Sequence, residues 1–253
     1  MSHVETALVV FACVFGSALF GLYLRTKLPE HHLSDESISA VKLAVGLIAT
    51  MAALVLGLLV SSAKNTFDTV SNEVVHSAAS IIFLDRVLAK YGPETKGIRD
   101  LYKQRVGMTI QIIASGEPAQ LAKLRGLEAL RWAESLQLKL EALSPRSEVQ
   151  RQLQASAIQI IGEVLNARQL TMLQASGSPP LPLLISLVLW LAIILCAFGL
   201  SAPANATVIV ALFLGALSTS GAIFLILEMN TPLDGVITVS LEPLREALTM
   251  LGQ

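Results

Sequence analysis

Four stretches of this chain run apolar without interruption by charge, and they fall into two pairs. Glu5 and Arg25 bracket 19 uncharged residues, Thr6 to Leu24, and Lys42 and Lys64 bracket 21 more, Leu43 to Ala63. No charged residue occurs from Gln169 to Leu227, a run of 59. A helix of about 20 residues crosses a hydrocarbon core of roughly 30 Å, so that run is too long for one crossing. The turn sequence Ser201-Ala202-Pro203-Ala204-Asn205 divides it into two spans joined as a tight helical hairpin. Pro179-Pro180-Leu181-Pro182 opens the third span, because proline suits a first helical turn. The pattern therefore predicts four transmembrane helices, at 6–24, 43–63, 181–200 and 206–227. The first is expected to be a retained anchor: Met1 to Glu5 holds no Lys or Arg, and the apolar run exceeds that of a signal peptide.

Between the second and third spans the period changes to that of a water-exposed helix. Phe67, Val70, Val74, Ile81, Leu84, Leu88 and Tyr91 alternate steps of three and four, with Ser77 in the one gap. Gly92-Pro93 ends that helix. Further helices are expected over Glu94–Ala114, Pro118–Leu143 and Pro145–Gln174, with Ser144 as an N-cap and Ser115-Gly116 as a turn. The second span enters the Phe67 helix without Gly or Pro, which predicts one long rod. Alternating strand patterns are absent. The expected class is an all-α integral membrane protein. Its expected parts are a first transmembrane hairpin (1–63), a helical domain (64–176), a second hairpin (177–228) and a C-terminal tail (229–253).

Composition supports the membrane reading and narrows it. Only 15% of residues are charged, against about 25% in a soluble domain, and mean hydropathy is +0.65. A soluble secreted protein, a disordered chain and an ordinary cytosolic enzyme are excluded. Lys64 to Arg168 holds 14 Lys/Arg and 11 Asp/Glu, a net +3, while the whole chain is at −1. Neither value points to a nucleic-acid partner. Near the span ends, Lys64, Arg168 and Arg245 on one side face Arg25, Lys27 and Lys42 on the other, so local charge does not orient the chain.

Candidate chemistry is sparse. His31 and His32 lie beside Glu30, Asp35 and Glu36, but adjacent histidines point apart on any regular backbone, and acids suit the start of the second long helix. A metal site is therefore not expected, and Ser34 reads as an ordinary cap. Ser218, Thr219 and Ser220 in the fourth span read as packing or back-bonding hydroxyls. Asn205-Ala206-Thr207 fits a glycosylation pattern by chance in so short a turn. Cys13 and Cys196 sit in apolar runs and read as reduced thiols. Walker, GxSxG, GxGxxG and HExxH motifs are missing, so neither an enzyme nor a cofactor is expected.

The second span carries two notable stripes. Gly46, Thr50, Ala53, Gly57 and Ser61 form a small-residue face suited to close helix packing. A second face runs through Met51, Leu54 and Leu58, then turns polar at Ser62, Asn65, Thr69, Asn72 and His76. An apolar constriction above a wet vestibule reads this way. A bundle helix with a solvated extension gives the same pattern, and periodicity does not choose between them.

Several patches resemble the bacterial bestrophin-like family of membrane proteins. They are Pro29-Glu30-His31-His32-Leu33-Ser34-Asp35, the second span from Val45 through Leu56-Gly57-Leu58-Leu59-Val60 to Ser61-Ser62-Ala63-Lys64, Leu84-Asp85-Arg86, and Tyr91-Gly92-Pro93-Glu94. The tail matches too, from Leu233-Asp234-Gly235 to Leu244-Arg245-Glu246-Ala247-Leu248. The resemblance implies the architecture of bestrophins, which are pentameric ion channels lined by the second helix, with cytosolic termini and helical domain. Phe67-Asp68 resembles the aromatic-Asp pair that follows the bestrophin pore helix. Thr69, Val70 and Ser71 depart from that pattern, and Glu228 and Asp234 stand too far apart for an acidic calcium clasp.

The expectation is a homopentameric channel in a bacterial inner membrane, with Met51, Leu54 and Leu58 as its constriction and small ions as its permeant partners. A different class also joins few spans to a helical insert: energiser subunits of the flagellar-stator or ExbB/TolQ kind. Those need a partner helix bearing a membrane-embedded acid, since no ionisable residue occupies a span centre here. A non-conducting scaffold is the third reading.

Overall fold

A computed structural model describes residues 2–29, 34–125, 127–175, 181–233 and 235–252. His31, His32, Pro179, Pro180 and Asp234 lie outside the described residues. Within them the chain is helical and without strands. The helices are α1 (His3–Lys27), α2 (Asp35–Tyr91), α3 (Lys96–Ser115), α4 (Pro118–Arg125), α5 (Leu127–Glu141), α6 (Glu148–Ala175), α7 (Leu181–Ser201), α8 (Ala206–Met229) and α9 (Glu242–Met250). Four of these, α1, α2, α7 and α8, are long and apolar enough to cross a membrane. The chain forms two compact units, residues 1–65 with 178–230, and residues 66–177 with 231–253.

Local chemistry explains most boundaries. Ser34 caps α2, its Oγ accepting from the Ser37 N–H at 3.4 Å, and α2 then runs 57 residues without a break. Gly92, at φ 136°, ends it in a conformation few other residues adopt. Gly116 closes α3 in the left-handed region, at φ 63°. Asn205 caps α8 through the Val208 N–H at 2.9 Å. One expectation needs correction. The cap of α6 is Ser147, whose Oγ accepts from the Gln150 N–H at 3.2 Å, not Ser144: Pro145 does not open the helix, which begins at Glu148. The helix expected over Pro118–Leu143 is described as α4 and α5, with residue 126 outside the described residues.

In the first unit α1 lies against both α7 and α8. It buries Val10, Val14, Ala18 and Leu22, one residue per turn, against Leu187, Ile194 and Leu195 of α7 and Leu212, Ala216 and Ile223 of α8. Apolar burial gives little drive between helices in lipid, so close backbone approach and interhelical hydrogen bonds matter more. Both are present. A Cβ at Gly21 would overlap the Cys196 carbonyl oxygen, and one at Gly199 would overlap that of Ala18. Ser17 Oγ also donates to the Ala192 carbonyl at 2.9 Å.

The second unit has a water-type core. Val70, Val74, Ile81, Leu84, Val87 and Leu88 of α2 are all buried in it, with Ala78 filling the gap beside Ser77, and Tyr91 at the end of α2 is buried too. They pack with Ile98, Tyr102, Val106 and Ile110 of α3, Leu136 and Leu140 of α5, and Leu244 and Ala247 of α9. Tyr102 stacks on Trp132 at 5.9 Å between ring centres, and Gln154 Nε2 donates to the Leu140 carbonyl at 2.7 Å, tying α6 to the end of α5.

Candidate functional site

The span of α2 presents three faces, one of which packs against the other described spans. Val45, Ala52, Leu59 and Ala63 are buried, with Ile48, Ala49, Val55 and Leu56 half-buried beside them. Their steps of seven and four are those of a helix seam. At 3.6 residues per turn the Met51, Leu54 and Leu58 stripe falls roughly opposite this seam. These three are 48%, 76% and 59% exposed. The stripe thus points away from the unit that carries it.

The small-residue face lies between the other two. Gly46, Thr50, Ala53, Gly57 and Ser61 are all exposed. A Cβ added at Gly46 or Gly57 would meet nothing within 4 Å, and Thr50 Oγ1 back-bonds to the Leu47 carbonyl at 2.7 Å. Among the described residues nothing covers Gly46 or Gly57. Further along α2, Ser62, Asn65, Asn72 and His76 are exposed and Thr69 is half-buried. Asn72 and His76 lie across the helix from the buried Val70 and Val74. Met51, Leu54, Leu58, Ser62 and Asn65 are thus exposed in the first unit, and Asn72 and His76 in the second. Among the described residues no group of His, Cys, Asp or Glu could hold a metal ion. In the fourth span, Thr219 and Ser220 back-bond to Gly215 and Leu217 at 2.8 and 3.0 Å.

Three features escaped the sequence reading. The Gly21–Gly199 crossing had a signal, small residues spaced three or four apart in both spans, Ser17/Gly21 and Ala192/Cys196/Gly199. The second is Asp85, 2% exposed. It accepts from Arg99 Nε and Nη2 at 2.7 and 2.8 Å, and from the Gly252 N–H at 3.3 Å. Burial alone would raise its carboxyl pKa, but the Arg99 and Gly252 hydrogen bonds and the charges of Arg99 and Arg86 outweigh that and hold it below the ordinary value. Lys103 Nζ donates to the Leu251 carbonyl at 2.6 Å beside this pair, so the tail after α9 is fixed to α2 and α3. The third, a contact between His3 and Glu228, joins residues 225 positions apart and had no local signal.

Four apolar helices, one of them presenting an unpacked apolar and small-residue surface, define a multi-span helical membrane protein in contact with the bilayer. The chain belongs to the bestrophin-like family: the bestrophin-like domain matches residues 12–244, nearly the whole length. That family is of the ion-channel kind rather than an enzyme family. No curated protein and no solved structure gives a match.

Proposed function

We propose that this chain assembles with copies of itself into a ring, of five subunits by analogy with bestrophins, and passes small ions passively through a pore lined by α2. The observation that carries the reading is the outward stripe of Met51, Leu54 and Leu58 on the span opposite its packed seam. Four helices enclose little aqueous space, so a pore belongs on the axis between subunits. There the three side chains stack as apolar rings that hinder ions by dewetting. Ser62, Asn65, Thr69, Asn72 and His76 continue the lining into the cytosolic portion. The exposed Gly46, Thr50, Ala53, Gly57 and Ser61 form the subunit contact, where small residues let backbones approach. In this reading the termini, the helical domain of 64–176 and the tail of 229–253 face the cytosol of a bacterial cell, and the spans cross its inner membrane.

Purified protein tests this in two steps. Mass measurement in detergent should give a ring-sized oligomer, and a monomer or dimer contradicts it. Liposomes loaded with salt should then leak ions through the protein alone. An energiser subunit would need a partner helix to move ions, and a scaffold would pass none in any salt.

A further inference from the structure

A cavity of about 310 Å³ lies within the second unit, where the end of α2, the first two turns of α3 and the tail after α9 meet. Its lining brings together Lys96, Arg99 and Lys103, one carboxylate, Asp100, and the apolar Ala89 and Pro93. The three cations follow at steps of three and four, so they share one face of α3. The surrounding backbone is fixed. Thr95, fully buried, donates its N–H to the Gly92 carbonyl at 3.2 Å and its Oγ1 to the Leu88 carbonyl at 2.5 Å. On the other side Lys103 Nζ holds the Leu251 carbonyl at 2.6 Å, which keeps Gly252 in the lining.

Like charges one helical turn apart repel, and little in the chain offsets them here. Arg99 gives Nε and one Nη2 hydrogen to Asp85, which leaves three of its five N–H donors unused among the described residues. Lys103 meets a neutral carbonyl. Lys96 is exposed and makes no hydrogen bond or ion pair among the described residues, and Asp100 closes an ion pair with neither lysine. Glu94, whose carboxylate lies close over Gly92, is not part of the lining. We propose that this cavity binds a phosphate monoester, carried by a soluble molecule or by a lipid headgroup. Such a group brings a charge of about −1.5 to −2 at pH 7 and three strong acceptor oxygens, where a carboxylate brings one charge and two oxygens. The volume falls within the range of small-molecule pockets, which starts at about 300 Å³, so an organic remainder fits against Ala89 and Pro93. The proposal rests on this cavity and not on the channel reading, so it holds whether or not the chain conducts.

Calorimetric titration of phenyl phosphate into the full chain, in nanodiscs of phosphatidylcholine, reads the site directly. Wild type should bind saturably, at one site per chain. Lys96→Gln removes an exposed charge that the fold does not use, and should weaken binding about tenfold, the worth of one charged hydrogen bond. Asp100→Asn removes the lining carboxylate and should tighten binding. Lys139→Gln, an exposed lysine of α5 outside the lining, should bind as wild type does. Discs containing phosphatidic acid, a monoester, are compared with discs containing phosphatidylglycerol, a diester. Block by phosphatidic acid alone supports the site with a headgroup as its ligand, and equal binding in both supports it with a soluble one. A wild type without saturable binding, a Lys96→Gln or Asp100→Asn protein that binds as wild type does, or a Lys139→Gln protein weakened as much as Lys96→Gln overturns the proposal.

Discussion

Asp85 is a carboxylate almost wholly removed from water, which the unit sustains because Arg99 meets it with two parallel N–H bonds. Replacing it by asparagine leaves the guanidinium without its counter-charge. Asp85→Asn should cost about 3 kcal/mol, read as a lowered thermal midpoint of the purified protein. The pH dependence has a definite sign. Because the folded carboxyl is held below its ordinary pKa, the pair stabilises above that ordinary value and loses its contribution as pH falls through the lowered one. Wild type should therefore lose stability steeply below about pH 4, and Asp85→Asn should not. A variant as stable and as acid-sensitive as wild type would contradict this. In the sequence, Asp85 stood out only within the Leu84-Asp85-Arg86 patch. Arg99 lies across the Gly92-Pro93 break, and no helical period links residues on opposite sides of a turn.

Among the elements, those outside the apolar spans were the most legible. The Phe67 to Tyr91 period picked out the residues that α2 buries in its second unit, and Ser34, Gly92 and Gly116 marked helix ends where the chemistry of caps requires them. In the spans every side of a helix is apolar, so periodicity does not tell a packed face from one that meets lipid. That is why the Val45–Ala52–Leu59–Ala63 seam and the Gly21–Gly199 crossing became visible only in the fold. The crossing makes a sharp prediction. Gly21→Ala or Gly199→Ala places a methyl group against a backbone carbonyl and should separate α1 from α7, seen as loss of monodisperse protein on size exclusion. Gly16→Ala, with nothing within 4 Å of its Cβ, should leave the elution profile unchanged. Equal tolerance at all three positions would show that the crossing is not tight.

At the scale of the whole molecule, α2 is the span with the smallest share of its residues buried within the chain, 17% against 28% for each of the others. A helix so little covered by its own unit suits a ring in which neighbours cover the small-residue face and the axis meets the Leu54 face. Gly57→Leu adds bulk where the chain itself offers open space. It should therefore leave the subunit folded while lowering the oligomer's mass. Unchanged mass would remove the small-residue face from the interface.

The most direct measurement is a planar-bilayer recording of purified wild type and Leu58→Ala in asymmetric salt. Leu54 and Leu58 stand one helical turn apart, about 6 Å along the axis at 1.5 Å per residue. Trimming the second ring should widen and hydrate the neck. The account predicts that wild type conducts alone, and that Leu58→Ala raises the conductance or leak at unchanged oligomer mass. If Leu58 instead packs against another helix, its truncation leaves a cavity costing roughly 2–5 kcal/mol. A Leu58→Ala protein that loses thermal stability yet conducts as wild type, or a wild type silent in every salt, would contradict it.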